Sequence, residues 1–352
     1  MEKRALIAMS DGVDSAAAAK LTRDAGWECV GCTMKLYDGP GGEESKCCSL
    51  RDVEDARYVS YRLGMRHYVF NFREDFSREI IDPFVAEYLR GRTPNPCIRC
   101  NREMKFKKLM ERADELGCSH IVTGHYARVE ERDGRFHLLR GVDERKDQSY
   151  VLYFLGQAEL RRVLLPLGGL TKPRVRALAE ESGFLNARKP DSQDICFVPD
   201  GDYARLIEER LGRAAEPGDF TDAEGRVLGR HRGIIRYTVG QHRGLGLSLP
   251  EAMYVCAVDA ESNRVILGPQ EALFRREAAV RDFSWVSGEA PPGPVRCLAK
   301  IRYAHRAQPA LAETDGAGRV RLTFDEPQRA ITPGQAAVLY DGDEVLGGGT
   351  IE

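Results

Sequence analysis

The chain has 352 residues, with 52 Lys and Arg against 54 Asp and Glu, a net charge of −2 and ten cysteines; this length predicts two or three domains rather than one core. The balanced charge argues against a uniformly basic, nucleic-acid-coating protein, and no apolar run is long enough to span a bilayer. Glu2-Lys3-Arg4 leads straight into a short strand rather than a signal segment, so a cytoplasmic location is expected, where ten cysteines suggest thiol chemistry or metal binding more than a disulfide scaffold.

The first half alternates strand and helix. Ala5–Met9, Cys29–Lys35, Arg66–Phe72 and His120–Thr123 read as buried strands. Helical patterns cover Val13–Ala25, Leu50–Leu63, Phe76–Leu89 and Asn101–Leu116. The alternation predicts an α/β unit with a parallel sheet and right-handed crossovers. Ligands of such sheets bind beyond the carboxyl ends of the strands. Two segments fall there, Ser10-Asp11-Gly12-Val13-Asp14-Ser15 and Thr123-Gly124-His125-Tyr126.

The first of these places backbone N–H groups and two serine hydroxyls at a helix start, an anion site by construction. The kinase-type Gly-x-x-x-x-Gly-Lys spacing is absent. The loop resembles the pyrophosphate-binding loop of enzymes that split ATP into AMP and pyrophosphate. That pattern has Gly where this chain has Asp11, an acid set close to phosphate charge.

Asp38-Gly39-Pro40-Gly41-Gly42 reads as a loop, and Cys47-Cys48 follows it with no assigned role. Thr171-Lys172-Pro173 opens a helix that runs to about Ser182, and another covers Tyr203–Leu211. Beyond Pro217 short strands take over, among them Tyr254–Asp259, Val265–Leu267, Val295–Ile301, Val320–Phe324 and Ala336–Tyr340. This texture predicts antiparallel β structure, a small barrel or two small β domains. Three stretches poor in acids stand out: Arg226 to Arg243, Arg296 to Arg306, and Arg99 to Lys108. Such runs suit phosphate contacts.

The thiols form a second signal. In Thr93-Pro94-Asn95-Pro96-Cys97-Ile98-Arg99-Cys100-Asn101 the prolines hold the chain extended, and Asn101 is a candidate N-cap. A Cys100 thiol at that helix start, between Arg99 and Arg102, is expected to be acidified. Cys196, in Ile195-Cys196-Phe197, reads equally as a core cysteine or a functional one. Cys29, Cys32, Cys118, Cys256 and Cys297 read as core.

A pyrophosphate loop with two distant thiol loops suggests sulfur transfer, and at this point the chain resembles the tRNA-specific 2-thiouridylases (the MnmA/TrmU family) over essentially its whole length. The matching segments are Met9 to Ser15, Gly91 to Pro96, Cys100-Asn101 with Lys105-Phe106, Thr123 to Tyr126, Lys146 to Tyr150, Ile195 to Phe197, Tyr237 to Gln241, and Phe324 to Pro327 through Thr332 to Gln335.

The resemblance implies a Rossmann-like ATP pyrophosphatase domain over residues 1–200, a β-rich tRNA-contacting domain over 201–276 and an antiparallel β-barrel over 277–352. It implies ATP with Mg2+, held by Ala8, Met9, Ser10, Asp11, Gly12, Val13, Asp14, Ser15, Met34 and Gly124. The substrate would be the wobble uridine of tRNAs for Lys, Glu and Gln, with its O2 adenylated and the base flipped out of its stack. Cys196 would carry a persulfide from a cysteine desulfurase or relay protein. Cys100 would release the sulfur, by attack or as a base. Asn95, Pro96, Cys97, His125, Lys146, Asp147, Gln148, Arg302, Tyr303 and Gln335 would meet tRNA. Many family members have Asp where this chain has Cys97, so a 4Fe-4S cluster on Cys97, Cys100 and Cys196 stands as a second route. The remaining alternatives are another AMP-forming enzyme of this loop type, such as a 4-thiouridine synthase, and a non-catalytic tRNA-binding or iron–sulfur scaffold.

Overall fold

The computed structural model describes residues 3–38, 50–189, 195–315 and 318–352. The loop through Gly39–Gly42, Cys47, Cys48 and the stretch Asp191–Asp194 lie outside the described residues. The first half runs β1 (Arg4–Ala8), α1 (Val13–Asp24), β2 (Glu28–Lys35), α2 (Leu50–Arg62), β3 (Arg66–Asn71), α3 (Arg73–Phe76), α4 (Asp82–Leu89), α5 (Pro96–Cys100), α6 (Leu109–Glu115) and β4 (His120–Val122). It continues through β5 (Ala127–Arg132), β6 (Arg135–Arg140), α7 (Gln157–Leu160), β7 (Val163–Leu164), α8 (Lys172–Glu181) and α9 (Tyr203–Leu211). The second half contributes β8 (Gly218–Thr221), β9 (Val227–His231), β10 (Tyr254–Asp259), β11 (Arg264–Gly268), β12 (Phe274–Trp285), β13 (Val295–Lys300), β14 (Gln308–Thr314), β15 (Val320–Arg329), β16 (Ala336–Asp341) and β17 (Glu344–Ile351).

The first sheet is parallel throughout, in the order β3-β2-β1-β4-β7. Its centre is buried on both faces, with Ala5, Leu6 and Ile7 fully buried. Ala16, Ala17, Ala18 and Ala19 are also fully buried, and their small side chains let α1 lie close against its neighbours. Because β2 and β4 flank β1, the strand order reverses at β1, and the loop after β1 opens at that switch point.

Two helical runs are longer than their sequence patterns suggest. A π-wound stretch, Ser77–Ile81, joins α3 to α4, so this helix starts at Arg73 rather than Phe76. A second, Asn101–Lys108, joins α5 to α6. That helix starts at Pro96, not Asn101. Asn95 Oδ1 accepts from the Cys97 N–H at 3.1 Å, and Pro96 brings a preset φ at the first helical position. Pro96 therefore opens the helix instead of holding the chain extended.

In the second half, β10-β11-β8-β9 form a small sheet around Phe220, Tyr237, Val255, Val265 and Leu267. Its β11–β8 pairing is parallel, so this sheet is mixed rather than wholly antiparallel. The strands β12-β15-β14-β13-β16-β17 follow in antiparallel order, and β12 pairs again with β17, closing a six-stranded barrel. Sequence periodicity did not anticipate the β5–β6 hairpin. It extends the barrel's sheet through Leu139 opposite Glu344 of β17.

Candidate functional site

The loop after β1 is wound around one hydroxyl. Ser15 Oγ donates to the carbonyls of Ser10 and Gly12, each at 3.1 Å, and accepts from the Ser10 N–H at 3.1 Å. Ser10 Oγ accepts from the Gly12 N–H at 3.2 Å. With its side chains spent on the turn, the loop offers the backbone N–H groups at the start of α1 to an anion. Burial pushes the Asp11 carboxyl above the usual range, and Lys189, ion-paired with it, opposes that shift. Ala8 and Met9 lead in from β1, where the Met9 N–H donates to the Cys32 carbonyl at 2.7 Å. Met34 lies near the carboxyl end of β2.

Asp14 is the polar hub. Lys172 Nζ reaches its two carboxylate oxygens at 2.8 and 2.7 Å, and the Tyr126 hydroxyl donates to Oδ1 at 2.7 Å. Lys172 is only 7% exposed, and its Nζ lies 5.7 Å from the centre of the Tyr126 ring. The sequence marked Lys172 only as a helix start; a lysine in the first turn of a helix, where the dipole disfavours a cation, was the available signal. Gly124 completes this side. A Cβ there would stand 3.0 to 3.1 Å from the Asp14 backbone and side chain and the Ser15 nitrogen, so any larger residue would push on the start of α1.

Cys97 and Cys100 sit one turn apart on α5. Cys196 lies beside Phe197, which is buried edge-on against Phe76 at 5.6 Å and Phe84 at 5.3 Å. Cys100 and Cys196 pack against the same apolar cluster, and Cys196 lies within electrostatic range of Cys97. The helix thus starts at Pro96, and Cys100 lies a turn inside it. The arginines expected to acidify Cys100 are engaged elsewhere. Arg99 binds Glu79, and Arg102 lies 5.2 Å over the Phe154 ring. Cys97 is exposed at the surface, and desolvation at its sulfur pushes the thiol up, with Lys105 opposing and Cys196 adding to the rise. Among the described residues no group of three or more His, Cys, Asp or Glu side chains is placed to hold a metal ion.

The expected RNA-contacting residues divide in two. Tyr303 reaches the Asp147 carbonyl at 3.3 Å and lies within electrostatic range of Lys146 and Cys97, so the C-terminal half meets the thiol helix there. Lys300 Nζ lies 5.4 Å from the centre of the Tyr303 ring. Several others are occupied within the fold. Asp147 accepts from the Gly141 and Ser149 N–H groups at 3.1 and 3.0 Å, and Gln148 Oε1 accepts from the Tyr126 N–H at 3.0 Å. His125 is 5% exposed, with Nδ1 2.7 Å from Thr123 Oγ1, and burial followed by Lys105 holds its pKa well below the ordinary value. Arg302 donates to the Arg329 carbonyl at 3.2 Å, and Gln335 Nε2 donates to the Thr93 carbonyl at 2.8 Å. Asn95 is the helix cap, and Pro96 is buried.

The acid-poor runs also read differently in space. Arg226 pairs with Asp222, Arg230 with Asp219, Arg236 with Glu208 and Arg296 with Asp325. Acids missing within the runs lie just outside them, as Asp222 and Asp219 do, or come from other segments, as Asp325 does. Arg232, Arg243 and Arg306 have no acidic partner among the described residues and remain as phosphate-contact candidates. Cavities of about 380 and 450 Å³ lie away from the phosphate loop, one beside Arg92, Cys256 and Pro333 and one beside Trp27 and His120. An open loop that receives a polyanion need not register as a cavity.

A five-stranded parallel sheet with an anion-accepting turn at its switch point, a buried lysine paired with a half-buried aspartate beside it, and a helix carrying two thiols defines a nucleotide-using α/β enzyme. Family models match along the chain: a tRNA methyl transferase HUP domain over residues 3–200, a tRNA methyl transferase PRC-barrel domain over 205–269 and an aminomethyltransferase beta-barrel domain over 275–351. The tRNA-specific 2-thiouridylase MnmA of Carboxydothermus hydrogenoformans is 50% identical over 99% of this chain and 98% of that protein. Its counterpart in Geobacter metallireducens is 49% identical over 99% and 97%. The chain belongs to the tRNA-specific 2-thiouridylase family.

Proposed function

We propose that the protein converts the wobble uridine of tRNAs for Lys, Glu and Gln to 2-thiouridine, using ATP and sulfur from a persulfide donor. The observation that carries this reading is the convergence of Lys172 and Tyr126 on Asp14 at the head of the phosphate loop, with the thiol helix beyond His125. The uracil O2 attacks the α-phosphorus of ATP, and pyrophosphate leaves against the N–H groups of the loop and Lys172. Mg2+ arrives with the triphosphate. Adenylation turns a poor leaving oxygen into AMP.

The terminal sulfur of a Cys196 persulfide then attacks C2 and expels AMP. The Cys100 thiolate attacks the Cys196 sulfur, releases the thiolated base and leaves a Cys100–Cys196 disulfide. An external thiol reductant resets the pair. No step is routed through an iron–sulfur cluster. Residues 1–200 would supply nucleotide and sulfur chemistry, with 201–276 and 277–352 holding the anticodon arm. The unpaired Arg232, Arg243 and Arg306 suit its phosphates.

The test supplies tRNA, ATP and a persulfide donor, then follows pyrophosphate release and 2-thiouridine in tRNA digests by mass spectrometry. Cys196→Ser should abolish 2-thiouridine while pyrophosphate release persists. Full thiolation by Cys196→Ser would refute the persulfide assignment, and pyrophosphate release that is independent of tRNA would refute uridine adenylation.

A further inference from the structure

An acid in a phosphate-binding loop works against the loop's purpose. Asn186 and Lys189, just after α8, answer it twice. Asn186 Nδ2 donates to the carbonyls of Asp11 at 3.2 Å and Gly12 at 3.1 Å, holding the loop by its backbone. Lys189 Nζ pairs with Asp11 Oδ2 and also lies 3.3 Å from Asp52 and 3.6 Å from Asp55 on α2. Asn186 is 5% exposed, so this clamp is built into the fold. A lone carboxylate within a few ångströms of an incoming triphosphate repels it, and the lysine on that carboxylate cancels the repulsion.

We propose that Lys189 is a positioning residue for ATP: paired with Asp11, it draws the carboxylate off the phosphate path and keeps the loop in its anion-accepting form. The proposal rests on the ATP-dependent reading above. The affinity for ATP then depends on the summed charge of the pair rather than on either side chain alone. The upward pull that burial exerts on Asp11 agrees with a carboxylate that needs this partner.

The test is calorimetric binding of Mg-ATP to the full chain and to Lys189→Met, Lys189→Arg, Asp11→Asn and the double variant Asp11→Asn/Lys189→Met. Lys189→Met should weaken ATP on the order of tenfold or more, and Lys189→Arg should hold affinity within about threefold. The double variant should recover much of the loss, because the carboxylate in the loop itself is gone and only Asp52 and Asp55 on α2 are left without the lysine. Asp11→Asn alone should tighten ATP, since the loop then loses its negative charge while Lys189 stays, still paired with Asp52 and Asp55; weaker binding overturns the proposal, even if Lys189→Met does not fold. A double variant as weak as Lys189→Met would mean that Lys189 acts only by tethering α2 through Asp52 and Asp55, and would also overturn it. If the parent binds ATP and every variant binds alike, the pair is refuted and the enzyme reading stands. If the parent does not bind ATP, both fall.

Discussion

Asp14 holds two donors, so its removal strands a buried ammonium and a phenol together. Leaving one partner of a buried ion pair uncompensated typically costs about 3 kcal/mol or more. The Asp14 side chain is 32% exposed, so Asp14→Ala should lower stability by less than that, about 1–2 kcal/mol, and abolish pyrophosphate release. Lys172→Met should keep the fold but slow release by about two orders of magnitude, as loss of one stabilising charge at a transferring phosphate does. Pyrophosphate release and urea titration check both. Cys97 yields a different expectation. Cys97 is exposed at the surface, while its surroundings raise its pKa, so alkylation of the Cys97 peptide, followed by mass spectrometry, should need no denaturant and should accelerate steadily from neutral to alkaline pH. Fast alkylation at neutral pH would contradict that environment. The residues of the phosphate loop were legible because a local turn brings them together. Lys172 was not, because nothing along the chain says which acid a helix-start lysine will meet.

His67 ties three elements together: Ser60 of α2 lies 2.8 Å from Nδ1 and Thr33 of β2 lies 3.1 Å from Nε2. Burial, followed by Arg57, lowers its pKa to about 4. The unfolded chain then takes up this proton first. The contribution is fully present above about pH 6.5 and is lost as pH falls through about 4. Allowing for partial solvent access, the loss should be on the order of 2 kcal/mol, read by urea titration from pH 7 to pH 4 and reduced in His67→Asn. At this scale the strands and helices of the parallel sheet were readable from apolar runs and alternation. The start of the thiol helix was misplaced because two prolines suggested an extended chain, whereas one of them occupies the first helical position. The π-wound stretches carry no signal in single-sequence periodicity. The hairpin did carry one: Asp133-Gly134, with φ of 51° and 74°, is a tight-turn pair favoured between antiparallel strands.

Across the whole molecule the N-terminal and C-terminal regions share one core. Val338, Tyr340 and Val345 belong to the same buried cluster as Leu6, Phe76 and Met104. The Tyr150 hydroxyl donates to the Ala336 carbonyl at 2.8 Å, and the Arg140 guanidinium lies 4.1 Å over the Tyr340 ring. Thr93 joins all three regions, through Thr238 at 3.1 Å, the Pro333 carbonyl at 2.9 Å and Gln335 at 2.8 Å. A Cβ at Gly334 would meet the Thr93 backbone at 3.0 Å. A fragment ending at residue 276 should therefore be poorly soluble and lack a cooperative thermal transition; a well-folded fragment that binds ATP would show the core to be divisible. The sequence texture revealed the change from α/β to β but not this interlocking, which depends on pairings between distant segments.

The β5–β6 hairpin waits for its neighbour. His137 and Glu344, 207 residues apart, meet at 2.8 Å across that seam. At ribosomal rates of about 5–20 residues per second, Glu344 is synthesised roughly 10 to 40 s after His137. During that interval the hairpin's edge is open to wrong pairings. A nascent chain stalled before Glu344 exposes this edge and lacks the last strand of the barrel. Translation thus sets when this seam can close, and a holdase acting on β5–β6 would be most valuable while the chain between Arg140 and Glu344 is being made.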